Sequence, residues 1–142
     1  MKAAVFPDSR AVEAIRAVSP HSRTLPLYMH DGFDLDKFSD YMTTRTDFIV
    51  QDHHSYFVFT PTDKSETGTQ HTSDVHGAIA DSLRRVSGKQ RRNLVIDEWS
   101  CALAPESLEN DKDTTQVRNK FCEEQMKVYS NATAGWGFWC EL

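Results

Sequence analysis

The sequence predicts an α/β fold built on a parallel sheet, and three observations predict it. Helix-like and strand-like patterns alternate from end to end. The strand-like runs are continuously apolar, and neither G-x-G-x-x-G nor G-x-x-x-x-G-K-[ST] occurs. Continuous apolar strands are those covered on both faces, as in a parallel sheet flanked by helices. Without a Gly-rich phosphate loop, a nucleotide-binding open sheet is the weaker solution. Half of a (β/α)8 barrel, or a small open α/β sheet, remains.

Each element has its own justification. Residues 9–18 read as a helix, with Ser9 as N-cap, Ala11, Ala14, Ile15 and Val18 at helical spacing, and Pro20 as its stop. Residues 24–29 form a short apolar run, punctuated by His30-Asp31-Gly32. Asp34 can cap a second helix reaching Met42, with Leu35, Phe38 and Met42 on one face. Residues 47–56 are a second strand around Phe48-Ile49-Val50, and the polar stretch 60–72, with Pro61 and Gly68, reads as a long loop. Val75, Ile79, Leu83 and Val86 mark a third helix capped by Ser73, followed by a solvated, arginine-rich end. Residues 93–99 are a third strand, 104–113 a second polar loop, 114–129 a fourth helix and 136–140 a fourth strand.

Bulk properties exclude several classes. The 142-residue chain is one domain's worth of sequence and long enough to bury a core. It carries 16 Lys+Arg against 21 Asp+Glu, a formal net charge of -5, whereas nucleic acids and anionic membranes select basic surfaces. No run approaches the roughly 20 apolar residues of a membrane span. The N-terminal residues show no apolar signal-peptide core, so no export signal is expected in this chain. Cys101, Cys122 and Cys140 lack C-x-x-C spacing and leave open one disulfide with a free thiol, or three free thiols.

Candidate chemistry gathers at the C-terminal ends of the strands, the edge where parallel barrels build active sites. His30 and Asp31, then Asp52, His53, His54 and Tyr56, then Asp97, Glu98, Trp99 and Ser100, then Trp139 and Glu141 stand there in turn. Strict alternation places Glu98 on the face of Leu94 and Ile96, the interior if this strand lines a barrel, and turns Asp97 away. A carboxylate so placed is costly unless it is hydrogen-bonded or functional. The plainer account is a salt-bridged strand-end residue. His54 and Tyr56 share a face and can donate to one substrate or one carboxylate, while His53 points away as a structural histidine. Trp139 suits an aromatic platform for the apolar face of a sugar ring, with Trp136 and Phe138 better suited to packing. His71 and His76 are off-register for a shared metal, no zinc spacing appears, and no metal is expected. Cys101 as a nucleophile would need His54 beside it, and Ser100 lacks a G-x-S-x-G elbow.

Three segments carry a family resemblance. Asp52-His53-His54-Ser55-Tyr56-Phe57-Val58-Phe59, Glu98-Trp99-Ser100-Cys101-Ala102-Leu103 and Gly135-Trp136-Gly137-Phe138-Trp139 resemble the second half of fungal exo-β-1,3-glucanases of glycoside hydrolase family 5. Tyr28-Met29-His30-Asp31-Gly32-Phe33 looks like that family's strand 5 and its exit. The resemblance covers nearly the whole chain. It implies a partial glycoside hydrolase domain over residues 1–142, with strands 5–8 of a (β/α)8 barrel. It also implies a retaining mechanism on β-glucan with no cofactor, and an extracellular or cell-wall setting for the parent proteins. Glu98 matches the family's nucleophile; His54, Tyr56, Trp139 and Asp31 match its substrate-binding region. Asp97 departs from the family's usual glycine. The acid/base Glu of an Asn-Glu-Pro motif has no counterpart, since Asn-Glu occurs nowhere here.

Two functions follow as expectations. One is a glycosidase half that binds β-glucan but does not turn it over alone. The other is a non-catalytic carbohydrate-binding half-barrel that self-associates through its open sheet edges.

Overall fold

The computed structural model describes residues 7–140. Residues 1–6, on which the expectation about an export signal falls, and Glu141 lie outside the described residues. The order is α1 (Pro7–Val18), a 3-10 turn (Pro20–Thr24), β1 (Leu27–His30), α2 (Ser39–Thr43), β2 (Ile49–Ser55), α3 (Pro61–Ser65) and α4 (Gly68–Asp74). A π-helical turn (Val75–Ile79) then leads into α5 (Ala80–Lys89), β3 (Leu94–Trp99), a 3-10 turn (Pro105–Leu108), α6 (Thr114–Ala132) and β4 (Gly135–Phe138). The four strands form one sheet in the order β1-β2-β3-β4, parallel throughout.

That topology separates two of the sequence's alternatives. A doubly wound sheet reverses its strand order at a switch point, whereas these strands neighbour one another in chain order. The core lies on one side of the sheet. Leu94, Ile96 and Trp99 pack with Val75, Leu83, Phe121 and Val128 in one cluster. Met29 and Ile49 pack with Val12, Phe38 and Met42 in another. A sequential parallel sheet with its helices against one face is compatible with an arc of a β/α barrel.

Arg16 pins α1 to this sheet. Its buried guanidinium donates to Asp47 Oδ2 at 2.8 Å and to the carbonyls of Leu25 and Phe48 at 2.9 and 2.7 Å. These are the residues that lead into β1 and β2.

Several expected boundaries move. The helix begins at Pro7, so Ser9 stands inside its first turn and is not the cap. Asp34 accepts from the Asp36 N–H at 3.1 Å in a local turn, and α2 starts later, at Ser39. The expected loop over 60–72 is largely helical. Thr60 with Asp63, and Thr67 with Gln70, form two capping boxes that start α3 and α4. Ser73 is therefore interior to a helix running over 68–89. Pro61 sits at the first helical position, where a missing N–H costs nothing. The 104–113 loop contains a 3-10 turn, and Asp113 caps α6 by accepting from the Gln116 N–H. At the arginine-rich end of α5, Arg85 forms a forked pair with Asp36, and Arg91 and Arg92 adopt left-handed backbone conformations, with φ of 55° and 68°.

Candidate functional site

The site follows from how β2 and β3 divide their side chains. On β2, Ile49, Gln51, His53 and Ser55 turn toward the helices. Gln51 meets Asp31 and Gln90, and Ser55 Oγ lies 2.9 Å from the Tyr129 hydroxyl of α6. Alternation then sends Asp52, His54 and Tyr56 to the opposite, open face.

Strict alternation fails on β3. His53 pairs with Ile96 and His54 pairs with Glu98, so Asp97 is an extra residue opposite a single β2 step. The same irregularity appears against β4, between Ile96 and Trp99. A bulge reverses the facing of everything beyond it. Leu94, Ile96 and Trp99 are consequently all buried against helices, and Glu98 faces the other way, with His54 and Tyr56. The expectation that Glu98 shares a face with Leu94 and Ile96 is overturned by this one inserted residue. Gly137 on β4 makes room for it, because a Cβ there would stand 2.7 Å from the Asp97 carbonyl oxygen.

Both oxygens of Glu98 are held. The Tyr56 hydroxyl donates to Oε1 at 2.5 Å, and His54 Nδ1 lies 2.9 Å from Oε2. The Glu98 side chain keeps 27% of its exposure, so its remaining lone pairs stay open. Burial, then the hydrogen bond and charge of Glu98, push the Tyr56 phenol well above its ordinary range, which keeps it a donor. Across the imidazole, His54 Nε2 is 3.4 Å from Asp52 Oδ1. Burial raises the Asp52 carboxyl, with Asp97 adding to the rise and His54 opposing it. The His30 ring lies 4.2 Å from that of His54, and Phe33 meets His54 edge-on at 6.1 Å.

The chain just past Glu98 is tied to α6. Cys101 and Cys122 form a disulfide, and Gln125 Nε2 donates to the Ser100 carbonyl at 3.1 Å. Of the two cysteine alternatives the structure takes the single disulfide, leaving Cys140 free and exposed. Cys101 is thereby removed as a thiol nucleophile. Trp99 is fully buried, with the rings of Tyr129, Trp136 and Phe138 around it at 5.0–5.4 Å.

Glu98, His54 and Tyr56 are thus brought together. Trp139 lies one strand over, its N–H donating to the Trp99 carbonyl at 2.8 Å and its side chain more than half exposed. Asp31 stands apart from them. It is fully buried on the helix side, accepting from the Phe33 N–H and Gln51 Nε2 and bonding His53 Nδ1 at 2.7 Å. Burial alone would raise its carboxyl, but His53, Gln51 and the Phe33 N–H outweigh burial and hold it below its ordinary value. Asp52 and His30, named only among the strand-end polar residues, and Phe33 surround His54. The position of Asp52 two before His54 was the available signal. Among the described residues no cluster of three or more His, Cys, Asp or Glu is placed to hold a metal ion. His71 is buried against Phe57 and Phe121, and His76 pairs with Glu124.

No protein-family model matches the chain. Glucan 1,3-beta-glucosidase 3 of Schizosaccharomyces pombe is 34% identical over 122 residues, which take in 81% of this chain and 24% of that protein. The chain therefore spans about a quarter of the length of the curated relative it matches. Among the described residues no helix is long and apolar enough to cross a membrane.

Proposed function

We propose that this chain forms strands 5–8 of a (β/α)8 barrel in a retaining glycoside hydrolase of β-1,3-glucan, with Glu98 as nucleophile. The observation that carries this is Glu98 itself: both carboxylate oxygens are held from the protein side while the carboxylate stays open to solvent. The 34% identity to a glucan 1,3-beta-glucosidase supports the same chemistry. Glu98 attacks the anomeric carbon, the glycosidic oxygen departs with a proton, and water then cleaves the glycosyl–Glu98 ester. The Tyr56 and His54 donors fix the attacking oxygens and stabilise the carboxylate again as it is released. Trp139 supplies a face for the sugar ring.

The departing oxygen needs a second carboxylic acid about 5 Å from the first. Asp52 lies beyond the far nitrogen of His54, and Asp97 sits at the bulge with its side chain exposed. In this reading the acid is supplied by further barrel residues, and the assembled enzyme works at the cell surface or wall. This chain alone should give no turnover of laminarin. Joined to a barrel half carrying Asn-Glu-Pro, it should hydrolyse laminarin with retained anomeric configuration, and Glu98→Gln should abolish the activity. Turnover by the isolated chain would remove the need for an outside acid. Unchanged turnover in Glu98→Gln would remove the nucleophile. The self-associating alternative draws on Tyr28, Trp136, Phe138 and Trp139, which are exposed on the two outer strands and just past β4. Light scattering that shows a monomer would sink it.

A further inference from the structure

The Cys101–Cys122 disulfide and the free Cys140 stand closer in the fold than in the sequence. β3 and β4 are last paired at Trp99 and Phe138, and the Trp139 N–H still reaches the Trp99 carbonyl at 2.8 Å. Cys101 lies two residues past Trp99 and Cys140 two residues past Phe138. The two cysteines therefore leave the sheet in the same register. Neighbouring strands run about 4.8 Å apart, and disulfides join residues whose Cα atoms are about 4.4–6.8 Å apart.

They also share a face. The ring of Trp99, buried on the helix side, lies 5.3 Å from that of Trp136 and 5.0 Å from that of Phe138. Trp136 Nε1 in turn donates to Ser130 Oγ of α6 at 2.8 Å. Trp136 and Phe138 thus look toward the helices, and alternation carries Cys140 to that side. Trp99 and Cys101 are related in the same way, and Cys101 is bonded to Cys122 of α6. Cys140 is free and exposed, and Cys101 and Cys122 are each partly exposed, so a thiol has access to the bond.

We propose that Cys140 is the exchange partner of the Cys101–Cys122 disulfide, so that the strand exit after Glu98 is tied either to α6 or to the residue following Trp139. The Cys140 thiolate attacks Cys101 Sγ. The Cys101–Cys140 bond forms as the Cys101–Cys122 bond breaks, and Cys122 leaves as a thiolate that takes up a proton. One disulfide and one thiol stand on each side of the exchange, so no oxidant or reductant is consumed. The inference does not rest on the glycosidase reading of Glu98.

Disulfide mapping of the oxidised full chain tests it. The chain is held without added oxidant at about pH 8.5, where ordinary thiols ionise, then quenched with acid, alkylated with N-ethylmaleimide and mapped by mass spectrometry without reduction. A Cys101–Cys140 bond with label on Cys122 should appear beside the Cys101–Cys122 bond with label on Cys140. Its amount should be no less than about a tenth of the other, the ratio for two bonds within about 1.4 kcal/mol. Its rate of appearance should not change with protein concentration, and Cys140→Ser should leave Cys122 unlabelled. Cys122→Ser supplies a second reading: treatment with oxidised glutathione should end in a Cys101–Cys140 bond. Finding only the Cys101–Cys122 bond after overnight equilibration overturns the proposal. A Cys122–Cys140 bond also overturns it, because the attack then falls on the other sulfur. A rate that rises with protein concentration does the same by making the exchange intermolecular, as do stable glutathione adducts on both thiols of Cys122→Ser.

Discussion

His53 and His54 are adjacent, and each holds a carboxylate, at 2.7 Å from Asp31 and 2.9 Å from Glu98. Their settings are opposite. Asp31 has no exposed side-chain surface and is enclosed by a backbone N–H, an amide and an imidazole. Glu98 retains 27% exposure and is held from the protein side alone. One pair closes the back of β2 against the helices, and the other leaves reactive lone pairs facing outward. Burial and completeness of hydrogen bonding, more than residue type, separate the two carboxylates.

The largest expected effect lies on the closed side. Asp31→Ala strands buried donors from Gln51 and Phe33 and breaks the pair with His53, and should cost about 4 kcal/mol in urea unfolding. Glu98→Gln should stay within about 0.5 kcal/mol of the parent, as substitutions at partly exposed positions usually do. Equal losses at the two positions would erase the distinction between them.

Next comes the tether behind Glu98. Replacing Cys101 and Cys122 with serine releases a loop closed across 21 positions and should cost about 3 kcal/mol. Amide exchange should accelerate first at residues 98–103, and hardly at all around Asp31. Uniform acceleration across the sheet would show that the disulfide supports the whole fold and not this strand exit in particular.

Acid unfolding should draw on Asp47, whose carboxylate is nearly buried against Arg16 and Arg45. Hydrogen bonding from Arg45, opposed by burial and reinforced by Arg16, lowers the Asp47 carboxyl from 3.8 to about 2. A carboxylate depressed on folding contributes stability above its unfolded pKa and loses it as pH falls through the folded value. About 2 kcal/mol should therefore disappear between roughly pH 4 and pH 2. Asp47→Asn should flatten that limb of the stability profile, and a profile unchanged by the substitution would sever Asp47 from acid unfolding.

The smallest change in stability belongs to Tyr56→Phe, no more than about 1 kcal/mol for one part-buried hydrogen bond. If the proposed hydrolase assembles around Glu98, the same substitution should lower its kcat by about 10²-fold, the usual cost of one donor to a charge that develops in the reaction. A loss confined to KM would make Tyr56 a sugar contact and not a support for Glu98.

Much of the fold was legible. The four strands announce themselves because strands buried on the helix side need apolar residues whatever surrounds them, as Leu94 and Ile96 do. Residues 61–65 and 68–72 are helical where the polar composition predicts a loop, although helix-start signals are present. Pro61 and Gly68 read as loop punctuation, while Thr60-x-x-Asp63 and Thr67-x-x-Gln70 spell capping boxes. Of the site, Glu98, His54 and Tyr56 could be named from residue type and spacing, but Asp31 could not be told from them, because burial is not written in a strand-end aspartate.

The sequence by itself determined the alternation of helix and strand, the absence of a phosphate loop, and the polar residues at the strand ends. These are local properties of composition and period. Tertiary structure alone decided which face Glu98 takes. Period-two alternation is a rule for unbroken strands, and the bulge at Asp97 is defined by pairing with β2 and β4, beside a glycine 40 residues further on whose missing Cβ leaves room for it. The division of the two histidines, by contrast, followed from alternation along β2, and the structure places His53 on Asp31 and His54 on Glu98.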